Sequence, residues 1–152
     1  CIAITLQLER QDASVIATDV SAKALDLARQ NARQLGARVE FRTGSWFDAV
    51  DGSATFDLVV SNPPYVAAGD PHLDSLAHEP SVALTDGADG LRCLAAIIAG
   101  ARSHLVEDGW LALEHGYDQA TAVGGLLLAA GLGTIEAVRD TAGHERVTRA
   151  RR

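Results

Sequence analysis

The succession of short apolar runs and longer helical stretches predicts an α/β protein whose mostly parallel sheet is wrapped by helices and closed by an antiparallel strand pair. Three observations predict it. Runs such as Ser14-Val15-Ile16-Ala17-Thr18, Phe56-Asp57-Leu58-Val59-Val60 and Trp110-Leu111-Ala112-Leu113-Glu114 have strand length and β-branched or apolar character. Stretches at residues 21–35, 91–105 and about 118–130 repeat apolar residues at helical spacing and separate those runs. Near the end, residues 134–139 and 146–150 are alternating runs close enough to pair directly.

Residues 1–10 read as an amphipathic helix with no initiating Met and no strand before it, so the sequence is expected to begin inside a fold. Residues 14–18 form a strand that ends at Asp19. Ser21 caps a helix that buries Ala24, Leu25, Ala28, Ala32 and Leu35 on one face, and Gly36 stops it. The alternating Arg38-Val39-Glu40-Phe41-Arg42 is the next strand and leads to Gly44-Ser45-Trp46-Phe47. Phe56-Asp57-Leu58-Val59-Val60 reads as a buried strand. Residues 67–90 show no periodicity, and a loop of that length inside a compact domain is usually a lid or a binding segment. Within it, Asp86-Gly87-Ala88-Asp89-Gly90 lacks the lysine of a phosphate cradle and reads as a flexible turn. The four arginines 146, 149, 151 and 152 alternate with Val147 and Ala150 in the manner of an edge strand.

The composition narrows the function. A chain of 152 residues with 47% hydrophobic content suits one domain with a core. A net charge of -7 gives no bulk attraction to nucleic acid or to an anionic membrane, and no apolar run is long enough to span a bilayer. Cys1 and Cys93 have no metal or redox spacing, and Cys93 reads as a buried thiol on a helix, in keeping with a reducing cytoplasm. The five histidines show no ligand spacing, so no metal is expected.

Ser61-Asn62-Pro63-Pro64-Tyr65-Val66 leaves the carboxyl end of the Phe56 strand, where open α/β sheets keep their chemistry. Two successive prolines stiffen Asn62 and Pro63. The Asn62 side-chain oxygen and the Pro63 carbonyl can converge as acceptors on a planar NH2 group, with the Tyr65 ring beside it. An amide or a nucleobase amine fits. Asn-Pro-Pro-Tyr alone suits a strand-terminating turn as well. Asp19, at the end of the strand after the first helix, stands where nucleoside sites place a carboxylate for ribose hydroxyls, and it also suits a turn before the Ser21 cap. Trp46 could stack on a purine or belong to the core.

Taken in order, these positions resemble the class I S-adenosylmethionine-dependent methyltransferases, and within them the HemK-type protein-(glutamine-N5) methyltransferases of peptide-chain release factors. The resemblance runs through Ala17-Thr18-Asp19-Val20-Ser21, Gly44-Ser45-Trp46-Phe47 and Ser61 to Val66. It continues in Glu79-Pro80, Ala83-Leu84, Asp89-Gly90-Leu91 and Leu113-Glu114-His115-Gly116, and closes at Asp140, Gly143 and Glu145-Arg146-Val147. It implies a Rossmann-like sheet lacking its first strand, a partial catalytic domain over residues 1–152, and S-adenosyl-L-methionine as cofactor. The missing strand, the glycine-rich cofactor turn and a helical substrate domain would precede Cys1, and the strand ending at Asp19 would then expose a ladder edge.

By the same resemblance, Asp19 holds the ribose, Trp46 lines the adenine pocket, and Asn62 sits where cofactor and substrate meet. Asn62 and the Pro63 carbonyl hold the glutamine amide of a release factor's Gly-Gly-Gln loop, Tyr65 packs on the amide, and Pro64 belongs with them to the substrate-binding set. Ser45 occupies a position where many relatives carry an acid for adenine. The implied reaction belongs to translation termination in the cytoplasm, without direct nucleic-acid binding. A DNA adenine amino-methyltransferase shares the tetrapeptide but would need a basic cleft, and a non-catalytic module binding a partner through residues 67–90 is the reading from another class.

Overall fold

The computed structural model describes residues 1–76 and 78–152, with only the backbone at 72 and 74. It divides into two compact units, Cys1–Ala54 and Thr55–Arg152.

The first unit runs α1 (Ile2–Glu9), β1 (Val15–Asp19), α2 (Ala22–Leu35) and β2 (Val39–Thr43), followed by a 3-10 turn at Trp46–Ala49. β1 and β2 pair in parallel, from Val15 opposite Val39 to Asp19 opposite Thr43. Ser21 caps α2 by accepting the Ala24 N–H at 3.2 Å, and Gly36 ends it at φ 72°, a left-handed conformation that costs a glycine little. The helix faces differ from expectation. In α2, Leu25 and Ala32 are buried, whereas Ala24 and Leu35 are exposed, because a sheet of two strands covers only a narrow stripe. α1 is not amphipathic: Ile2 and Leu8 are exposed, and its buried face pairs Ile4 with Gln7. That glutamine is satisfied, its Oε1 accepting the Arg38 N–H at 3.0 Å.

The second unit contains β3 (Phe56–Ser61), α3 (His72–Ser75), α4 (Arg92–His104), β4 (Leu105–Glu114), α5 (Ala120–Ala129), β5 (Gly133–Arg139) and β6 (Glu145–Arg151). The strand order is β3-β4-β6-β5, with β3 parallel to β4 and the remaining neighbours antiparallel. Leu111 and Leu113 of β4 and Thr148 and Ala150 of β6 point to one face, where they are fully buried with Leu94, Ile97 and Ile98 of α4 and Val123 and Leu127 of α5. Cys93 of α4 is half-buried rather than buried, and burial raises its thiol above the ordinary range.

Two expectations for this sheet are corrected. β6 is an interior strand, not an edge: Asp140 Oδ1 accepts the N–H groups of Ala142 and His144, at 2.9 Å each, and this tight reversal lays β6 between β4 and β5. Its arginines are matched by Asp140, Glu136 and Asp108, and Arg149 also lies 5.2 Å over the Trp110 ring. Nor is β3 buried on both faces, since Leu58 is 46% and Val60 38% exposed. Those side chains share the face of Trp110 and Ala112, opposite the one that α4 and α5 cover.

Candidate active site

β3 ends at Ser61, still in register with Leu113 of β4, and residues 62–65 leave it without regular structure. Pro63 is fully buried, Pro64 and Tyr65 are half-buried, and Asn62 is exposed. The Asn62 side chain has no hydrogen bond to another described residue, so its amide remains available. The two expected acceptors therefore differ in access, because the Pro63 carbonyl lies below the surface.

The far end of the loop is held at a single peptide unit. The Tyr65 carbonyl accepts from Gln119 Nε2 at 3.0 Å, and the Val66 N–H of the same peptide donates to the Leu84 carbonyl at 2.9 Å. Val66 forms a parallel bridge with Thr85, and the Ala68 N–H donates to the Ala88 carbonyl at 2.7 Å. The Tyr65 hydroxyl donates to Glu114 Oε1 at 3.1 Å. Burial, then the charge of Glu114 and its hydrogen bond, push the phenol above its ordinary value, so Tyr65 is a neutral donor at physiological pH.

In the first unit, Asp19 and Trp46 stand at the ends of adjacent strands. Asp19 is exposed; its Oδ1 accepts the Ser21 N–H at 2.8 Å, and its other oxygen has no described partner. The carboxylate thus serves the turn while one oxygen stays free. Trp46 is half-buried at φ 47°, a left-handed conformation that costs a bulky residue about 1–3 kcal/mol. Its carbonyl accepts from Thr18 Oγ1 at 3.4 Å, tying the turn after β2 to the end of β1. Ser45 precedes this turn and makes no side-chain cap.

The sequence profile of the methyltransferase small domain family matches residues 1–145. The chain belongs to that family. Among its relatives, the release factor glutamine methyltransferase of Neisseria gonorrhoeae is 50% identical over 97% of this chain and 55% of its own length. The protein of the same name from Xylella fastidiosa strain Temecula1 is 49% identical over 97% of this chain and 54% of its own length. The chain thus spans about half the length of the curated relatives it matches. A crystal structure of a methyltransferase from Pyrococcus furiosus superposes with a TM-score of 0.72 at 18% identity, over 97% of this chain and 66% of that one, and shows the shared α/β fold.

Within this methyltransferase domain, several buried residues around the loop were given no role by the sequence. Asp86, in the stretch expected to be a flexible turn, is a buried carboxylate whose Oδ1 accepts the N–H groups of Ala88 and Gly90 and whose Oδ2 accepts that of Arg92, at 2.8 to 3.0 Å. The turn is stitched, not flexible. Burial works to raise this carboxyl, but those N–H groups and the Arg92 charge outweigh it and hold the group below the usual carboxylate range. Gly90 lies against Tyr65 at φ 81°, where a Cβ would collide with the Tyr65 carbonyl oxygen and come within 2.8 Å of Gln119 Nε2. His115 is buried with both ring nitrogens engaged, Nε2 by Thr148 Oγ1 and Nδ1 by the Gly116 carbonyl, at 2.8 Å each.

Proposed function

We propose that the complete protein transfers a methyl group from S-adenosyl-L-methionine to the side-chain amide nitrogen of the glutamine in the Gly-Gly-Gln motif of peptide-chain release factors. The observation that carries this reading is the stiff 62–65 loop, which leaves a strand end with the Asn62 amide exposed and unengaged. The relatives named release factor glutamine methyltransferase, about half identical over nearly the whole chain, support the substrate class. The rival readings gain no support from those relatives. The reading puts the protein in the cytoplasm, and among the described residues no helix is long and apolar enough to cross a membrane.

The chemistry of the donor set fits the cofactor. Asp19 keeps one exposed carboxylate oxygen to accept from ribose hydroxyls, and Trp46 offers a half-buried aromatic face for adenine. The cofactor supplies an electrophilic methyl carbon on a sulfonium. An amide nitrogen is a weak nucleophile because its lone pair is delocalised into the carbonyl, so the task of the site is alignment. Asn62 Oδ1 would accept one amide hydrogen and so fix the orientation of the nitrogen. As the new N–C bond forms, positive charge grows on the N–H groups, and this acceptor stabilises it. The Pro63 carbonyl adds a second acceptor once the arriving glutamine displaces what covers it. Tyr65, with its hydroxyl directed to Glu114, offers its ring and not a base. The proton that the substituted nitrogen gives up would pass to solvent, since Tyr65 and Asn62 supply no base.

In the complete protein, with methylation of a release factor followed by mass spectrometry, Asn62→Ala lowers the rate roughly 10²–10³-fold or below detection. Its thermal midpoint stays at the wild-type value, since Asn62 is exposed. Near-normal turnover by that variant removes Asn62 from the mechanism.

A further inference from the structure

Gln119 stands at the amino end of α5, a position where a glutamine ordinarily needs no explanation. Here both ends of its side-chain amide are used. Oε1 accepts the Gly116 N–H at 2.8 Å, which fixes which way the amide faces, and Nε2 then donates to the Tyr65 carbonyl at 3.0 Å. The same Tyr65–Val66 peptide is held at its other pole by the Leu84 carbonyl, and Gly90 backs it at a distance that admits no side chain. At the opposite end of the loop, Ser61 is locked in the ladder with Leu113. Residues 62–65, two of them proline, are strung between two fixed points.

We propose that Gln119 is a positioning residue for the methyl acceptor: by clamping the Tyr65–Val66 peptide it sets where Asn62 and the Tyr65 ring present themselves. This rests on the methyltransferase reading above. The side-chain amide of Gln119 is already engaged by Gly116 and Tyr65, so the residue acts through the loop. It carries geometry from the start of α5 into the loop, and a displacement of about 1 Å in a site that works by alignment costs on the order of 10²-fold in rate.

The test uses two variants of the complete protein. Gln119→Met has nearly the same reach and removes both hydrogen bonds. Gln119→Glu keeps the acceptor for Gly116 but, when ionised, sets oxygen against the Tyr65 carbonyl. Both variants are expected to lower kcat by roughly 10- to 100-fold, with the release-factor KM and the cofactor Kd within about twofold of wild type. Amide hydrogen exchange at Val66 and Ala68 should quicken in both.

The Glu variant adds a signature that general loosening does not produce. Protonation restores a donor toward Tyr65, so its kcat relative to wild type should recover as pH falls through the carboxyl pKa, which the facing carbonyl raises above about 4.3. The Met variant should show no such recovery. Unchanged exchange at Val66 and Ala68, or faster exchange with unchanged kcat, overturns the clamp; so does a Glu variant with no pH recovery. If the wild-type protein transfers no methyl group, the proposed function fails, while the exchange measurement still decides whether Gln119 holds the loop.

Discussion

Asp19, in the first unit, directs one carboxylate oxygen to the Ser21 N–H of its own turn, whereas the Tyr65–Val66 peptide of the second unit is gripped by Leu84, Gly90 and Gln119, all distant in sequence. Behind the first lie few buried apolar side chains, Ile4, Leu25 and Ala32. Behind the second is a core that runs from Leu94 to Ala150. The contrast teaches how each group is expected to work. An exposed carboxylate in a self-contained turn can accept hydroxyls wherever a ligand brings them, so local chemistry suffices. A loop that must align a weak nucleophile has to be over-determined, and only contacts between remote segments can do that.

The contrast is broken most forcefully at Gly90. Gly90→Ala places a Cβ on the Tyr65 carbonyl at a positive φ, and urea unfolding should show a loss of about 2–4 kcal/mol together with loss of transfer. A loss under about 0.5 kcal/mol would mean that the loop yields easily and is not over-determined.

Asp86→Asn sharpens the contrast next, because it weakens a charge-assisted set of bonds in the same support. The expected loss is about 1–3 kcal/mol near neutral pH. The folded carboxyl of Asp86 lies below its unfolded value, so its contribution is present above the unfolded pKa and disappears as pH falls through the folded one. Stability measured against pH should therefore lose part of its acid limb in the variant. Parallel curves for wild type and variant would assign the acid sensitivity elsewhere.

The smallest structural effect belongs to the first unit. Asp19→Ala should cost under about 1 kcal/mol of stability, one exposed turn bond, yet weaken S-adenosyl-L-methionine binding by about 10- to 100-fold, the worth of hydrogen bonds to a charged group. Unchanged affinity by calorimetry would leave Asp19 as a turn residue only.

The same division governs what could be read from the sequence. The Ser21 cap, the Gly36 stop, the strands β1 and β2 and the Pro-Pro loop were legible because each is written within a few residues. Fold class followed from the succession of such strands and helices. The place of β6 did not, since alternation marks a strand without naming its neighbours, and the 140–144 reversal decides those. Residues 67–90 showed no period because their order comes from isolated backbone bonds such as Val66 to Leu84 and from one buried carboxylate. Gln119 had no signal at all. A glutamine before a helix is common, and its partner lies 54 positions away. Asn62 and Asp19 were proposed from residue type and place in the chain, while the remote contacts that hold the end of the 62–65 loop appear only in three dimensions.

Trp46 sits in the turn after β2 and Trp110 in β4 beneath Arg149, so each unit carries a single tryptophan. Under tryptophan-selective excitation, Trp46→Phe or Trp110→Phe leaves a reporter on one unit alone. The order in which the two units melt can then be followed by emission without any added label.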